Sequence, residues 1–121
     1  IQYTHARIRS ILRKSDEQGI SRSASELDKS PEPSAKEIRL IKLLNIYPSK
    51  LAEAGQALAP SIVANYAYDL AKEFNQYYHD TQILREEDQK IRSFRLCLIE
   101  TLASVLVKAM GILGIELPER M

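Results

Sequence analysis

Tryptophan is absent from this chain, cysteine occurs once, phenylalanine twice and glycine four times in 121 residues. A single cysteine excludes a disulfide framework and fits a reducing compartment, so a cytoplasmic location is expected. The four glycines never cluster, which excludes a phosphate cradle of the GxGxxG or GxxxxGK kind. No apolar run approaches the roughly eighteen residues that would make a membrane-span candidate, and the first residues do not form a secretory signal. The formal net charge is only +1, so no strong field of one sign advertises a nucleic acid partner. His5, His79 and Cys97 have no metal-ligand spacing among them, and no Ser/His/Asp order stands out. On these residues the polypeptide alone is expected not to be an enzyme and to hold no metal or cofactor. It opens on Ile1 rather than Met, inside a helical pattern, which reads as an excised piece of a longer protein.

What is present is apolar periodicity. Hydrophobic residues make up 45% of the chain, enough for one domain with a real core. The organising stretch is Ser61 to Tyr78, SIVANYAYDLAKEFNQYY. Ile62, Tyr66, Ala67, Leu70, Phe74, Tyr77 and Tyr78 recur there at three- and four-residue steps, the period of a helix with one buried stripe. Pro60 suits the start of such a helix, where its missing N–H costs nothing. Four tyrosines fall within thirteen residues, Tyr68 lies off the stripe, and Tyr77 and Tyr78 are adjacent and point apart. At least one phenol is therefore expected at a surface, where a flat amphipathic ring can stack.

Around it the pattern predicts an all-α fold, a bundle of four to five helices in one domain. Ile1 to Lys14 reads as a helix with Ile1, Ile8, Ile11 and Leu12 inward and His5 packed beside them. Its charges are Arg7, Arg9, Arg13 and Lys14 against no acid. Two readings of that face stand side by side: a solvated surface favoured by the helix dipole, or a face for phosphates. Ser15 to Pro33 loses all apolar period and reads as a long mobile loop. Helical bundle follows over 34–114. Ser34-x-x-Glu37 is a capping-box spacing. Pro48 is expected to end that helix and to push Tyr47 out of it, Ser49 to cap a short helix with Leu51, Ala54 and Leu58 inward, and Pro60 to close it. The acids Glu86, Glu87 and Asp88 favour the start of the last helix, which is apolar nearly all round and belongs mid-bundle. Gly114 is placed for a left-handed end, and 115–121 form a tail.

Three stretches carry a resemblance. ANYAYDLAKEFNQYY resembles the ANYLYDLAxxFNxFY helix of bacterial arginyl-tRNA synthetases, in their C-terminal anticodon-binding (DALR-type) domain. QYTHARIRSILRK resembles the QYxHxR helix that follows their catalytic domain. VLVKAMGILGIELPERM is similar to the family's VLKxGLxLLGIxxPERM terminus, down to the closing methionine. The three occur in the family's order. The family's His-x-Gly-His and Lys-Met-Ser-Lys-Ser signatures are absent, and in the family both precede the point where this chain starts.

The resemblance implies a module that reads the anticodon loop of tRNA(Arg), beside a catalytic domain that uses ATP with Mg to attach arginine. It implies a contact surface from Tyr78, which ends the FNxFY pattern, and the terminal Met121. Arg120, Arg85 and Arg95 are expected to flank it, with Arg7 and Tyr68 as further contacts. A ring and a flexible thioether can both pack on unstacked bases. A monomer is expected. A second reading, from composition, is a generic helical interaction domain that binds a protein through Ile1 to Lys14.

Overall fold

A computed structural model describes residues 1–19, 34–81, 83–84 and 89–118, with the backbone only of Gln89 and Lys90. Five helices account for nearly all of them: α1 Gln2–Glu17, α2 Ala35–Asn45, α3 Tyr47–Ala57, α4 Ser61–Asp80 and α5 Gln89–Ile112. No strand occurs among the described residues. The expected loop at 15–33 begins later than its composition suggests. Ser15 is buried inside α1, which runs on to Glu17, and residues 20–33 lie outside the described set.

α4 is the hub. It packs against α1, α2, α3 and α5, whereas α5 packs against α4, α1 and α2. Its buried stripe is Val63, Tyr66, Ala67, Leu70, Ala71, Phe74 and Tyr77. Val63 takes the inward place that the spacing gave to Ile62, which is half-buried. Opposite it, α5 contributes Leu96, Ile99, Leu102, Leu106 and Ala109, all fully buried. The all-round greasiness of α5 is not wholly consumed by the core, since Val107 and Ile112 remain exposed. Ile83 folds back onto the same core and is buried, with Leu84 packed against it.

The helix ends show which local signals win. Ser34 closes a capping box on α2: Ser34 N donates to Glu37 Oε1 at 2.8 Å and Glu37 N donates to Ser34 Oγ at 3.2 Å. The α2–α3 corner departs from expectation. Pro48 does not end α2 but sits in the first turn of α3, and a single residue, Ile46, caps both helices. Proline is tolerated there because its missing N–H belongs to the unpaired first turn. Tyr47 stays helical against the preference of a pre-proline residue, with its ring stacked on Tyr66 at 5.5 Å. Tyr66 also ties the corner through its hydroxyl, which donates to Leu43 O at 2.6 Å, and burial raises its pKa to about 12.

Leu58 is a second correction. It does not face inward: it is 88% exposed and holds the left-handed conformation, φ 51°, that ends α3. The turn is fixed by Ala59 N donating to Ala54 O and Leu58 N to Gly55 O, which satisfies carbonyls at the end of α3. Neither Ser49 nor Pro60 therefore bounds α3 as its composition suggests; Pro60 caps the start of α4. At the other end of the chain Gly114, φ +76°, behaves as expected. Ile115 N donates to Met110 O at 2.9 Å and Gly114 N to Gly111 O at 3.0 Å, the paired bonds of a Schellman turn.

Candidate nucleic-acid interface

α1 lays its stripe of Thr4, Ile8, Ile11, Leu12 and Ser15 into the bundle. Thr4 Oγ1 donates to Asn75 Oδ1 at 3.2 Å, which registers the start of α1 against the C-terminal half of α4. Its apolar face is thus consumed internally and is not free to dock a partner, as the second reading of the sequence required. The other edge of α1 meets the end of α4.

There the adjacent tyrosines diverge. Tyr77 is buried, and its hydroxyl donates to Glu37 Oε2 at 2.8 Å. Tyr78 is 39% exposed and leans on Phe74, ring centroids 6.0 Å apart. The Arg7 guanidinium lies over the Tyr78 ring, Cζ 4.5 Å from its centroid, and over the Tyr3 ring at 4.6 Å. Its Nη2 also donates to Tyr3 Oη at 2.7 Å. Two phenols and one cation therefore form a cluster linking α1 to the end of α4, with Tyr3 more than half exposed. Cation–ring contacts of this kind orient both partners.

Two clefts meet at Tyr78. One, about 440 Å3, is lined by Tyr3, Ala6, Arg7, Ser10 and Arg13. The other, about 470 Å3, is lined by Lys14, His79, Thr81, Ile83 and Leu84. Flat rings beside cations in an open cleft are the chemistry that holds unstacked bases and their phosphates.

The residues singled out in the sequence divide. Arg7 and Tyr78 are brought into contact. Tyr68 is exposed, but it lines a separate groove of about 520 Å3 with Ile1, Lys36, Lys72 and Gln76. Arg95 does not flank Tyr78. Its Nε donates to Glu37 Oε2 at 3.1 Å, beside Tyr77, and it lines neither cleft. The reason is a carboxylate in the interior that needs a cation. Burial opposes ionisation of Glu37, yet bonds from Ser34 N, Tyr77, Arg95 and Ser34 Oγ together hold its pKa below the usual carboxylate range. Burial, then the bond to Glu37, raises the Tyr77 phenol. Arg85, Arg120 and Met121 lie outside the described residues.

Tyr3 was missed by sequence reasoning. The available signal was its place one turn before Arg7 and on the face away from the apolar stripe. His5 is buried, as its position predicts, and its Nδ1 stands 2.8 Å from Pro118 O. Among the described residues no group of His, Cys, Asp or Glu could hold a metal ion, and no helix is long and apolar enough to cross a membrane.

Fold and cleft together define an all-helical module with an aromatic and basic edge. The family model described as the DALR anticodon binding domain matches residues 1–121, and the chain belongs to that family. It is 51% identical over 121 residues to an arginine–tRNA ligase of Phocaeicola vulgatus and 46% identical to one of Porphyromonas gingivalis, in each case across the whole chain but only 20% of the relative. Among solved structures, Thermus thermophilus arginyl-tRNA synthetase superposes with a TM-score of 0.85 at 31% identity, over 99% of this chain and 20% of that one. The chain thus spans about one fifth of the relatives it matches.

Proposed function

We propose that this chain is the anticodon-binding module of an arginine–tRNA ligase, and that it holds the anticodon loop of tRNA(Arg) at the cluster of Tyr3, Arg7 and Tyr78. The observation that carries this reading is the Arg7 guanidinium fixed over two exposed phenols at the junction of two open clefts. Bases splayed from a loop stack on such rings, and Lys14 and Arg13 line the same clefts for phosphates. Family membership supports it, as do relatives that carry the name arginine–tRNA ligase. In the family pattern the terminal Met121 joins Tyr78 in this surface, and Arg120 and Arg85 are proposed here as its flanking cations. Activation of arginine with ATP and Mg belongs to the rest of such a ligase, and that catalytic domain is the module's natural neighbour in a monomeric cytoplasmic enzyme. Residues 1–121 act as one module.

The test is fluorescence anisotropy of a labelled tRNA(Arg) anticodon stem-loop titrated with the chain at 50 and 200 mM salt. Specific binding that weakens steeply with salt is the expected result. In the full-length ligase Tyr78→Ala should lower tRNA use about ten- to hundredfold with ATP binding unchanged, since stacking on one base is worth about 1–3 kcal/mol. Unaltered arginylation by that variant would refute the site.

A further inference from the structure

The groove of about 520 Å3 that holds Tyr68 follows one face of α4. Tyr68, Lys72, Asn75, Gln76 and His79 line it at steps of four, three, one and three residues, which places them on a common side of the helix. From Tyr68 to His79 that side runs roughly 16 Å, eleven residues at the helical rise. Tyr68 is 60% exposed, against 39% for Tyr78, so more of it is open to a ligand. Lys72 and Gln76 are exposed beside it, and Lys36 closes the groove from α2.

Its polar groups can donate. Thr4 Oγ1 already bonds Asn75 Oδ1, so the group left to Asn75 for a ligand is its NH2. Asp80 is the one acid lining the groove, and its charge is offset by an ion pair with Lys36. Lys72 forms no ion pair among the described residues. An open ring, an ammonium and amide donors match a base, a phosphate and the hydroxyls of a ribose strand. The groove is also continuous with the surface already described. His79 and Asp80 line both it and the cleft of about 470 Å3 beside Tyr78, so the two meet at the end of α4.

We propose that this groove is a second RNA subsite, taking nucleotides that adjoin those held at Tyr78: Tyr68 stacks on one base and Lys72 neutralises one phosphate. This rests on the functional reading above for RNA as the ligand. Continuity with the Tyr78 cleft selects RNA over a protein partner for the groove, since a strand leaving Tyr78 passes His79 and reaches Lys72 without crossing the bundle.

The test is anisotropy of the labelled tRNA(Arg) anticodon stem-loop with the full chain, parent against variants, over a series of salt concentrations. Tyr68→Ala should weaken binding about tenfold, and Tyr68→Phe, which keeps the ring, should bind like the parent. Lys72→Gln should flatten the slope of log K against log salt by about 0.7, the share of one single-strand phosphate, while Tyr68→Ala leaves the slope unchanged. Losses from Tyr68→Ala and Tyr78→Ala should multiply, because the two rings lie about 15 Å apart along α4 and hold different nucleotides. Parent-like binding by both Tyr68→Ala and Lys72→Gln, with Tyr78→Ala weakened, overturns the subsite and leaves the functional reading standing. A parent chain that does not bind the stem-loop overturns both. Losses in the groove variants with none in Tyr78→Ala keep the subsite and overturn the Tyr78 site. The last arm is the unfolding midpoint of the full-length ligase carrying Tyr68→Ala. A lowered midpoint together with unchanged stem-loop binding overturns the proposal and assigns the groove to a protein contact.

Discussion

The hydroxyl of Tyr77 donates to Glu37 Oε2 across 2.8 Å in the interior of the bundle. Arg95 donates to the same oxygen at 3.1 Å, so one carboxylate joins α2, α4 and α5. Removing the phenol leaves a buried charged acceptor short of a partner, and bonds to charged groups are worth about 1.5–3 kcal/mol. Tyr77→Phe should lower the free energy of unfolding by about that amount in urea titrations at neutral pH. A change within 0.5 kcal/mol, the usual size of a surface effect, would show that the network is not a structural tie.

The same carboxylate makes stability depend on acid. Glu37 is held below its ordinary value of 4.5 in the folded chain, so it releases its proton more readily folded than unfolded. Its contribution is fully present above the unfolded pKa and is lost as pH falls through the folded one. The stability gap between the parent and Glu37→Gln should therefore shrink steadily below about pH 4.5, measured by urea midpoints across the acid range. A gap that is constant with pH would mean that folding leaves the proton affinity of Glu37 unchanged.

Leu102 is fully buried in α5 within the main core cluster. Leu102→Ala should cost roughly 2–5 kcal/mol through the cavity it leaves. A loss below about 0.5 kcal/mol would remove α5 from the centre of the bundle.

Leu58 is the one described residue other than glycine with positive φ, and its side chain is 88% exposed. A β-carbon in that conformation costs about 1–2 kcal/mol, while little apolar contact is lost on truncation. Leu58→Gly should raise stability by about 0.5–1 kcal/mol after the added freedom of the unfolded glycine is counted. Destabilisation would show that the strain at Leu58 is smaller than the entropy cost of glycine.

Arg7 contacts both rings with a planar group, which an ammonium cannot imitate. Arg7→Lys should therefore weaken stem-loop binding severalfold with the salt slope nearly unchanged, because the charge is kept. Equal affinity for arginine and lysine at this position would reduce Arg7 to a point charge for phosphate.

Features written locally were legible in the sequence. The Ser34–Glu37 box, the Gly114 turn, the inward His5 and most of the stripe of α4 depend on local spacings and are found, although Val63 replaces Ile62 and Tyr78 stays exposed. Features made by tertiary contact were not. Pro48 signals a boundary, but the stacking of Tyr47 on Tyr66 goes with a helix through it. Leu58 reads as inward by period, and the turn at the end of α3 rotates it out. Arg95 appears as a surface cation until Glu37, 58 residues away, claims it. Tyr78 is marked by the end of the FNxFY pattern, but Tyr3 gains meaning only when α1 is laid against the end of α4, a neighbourhood that no local pattern encodes.

Arginine carries about 2 kcal/mol of rotamer freedom in a loose chain. With its guanidinium bonded to Tyr3 Oη and lying over two rings, much of that freedom is already gone in the free protein. A ligand entering the clefts therefore meets a cation whose orientation was settled during folding, and little additional ordering of that side chain accompanies association. Loosening Arg7 by removing only its hydroxyl partner, as in Tyr3→Phe, should then appear chiefly as a less favourable binding entropy, because the ring itself is kept.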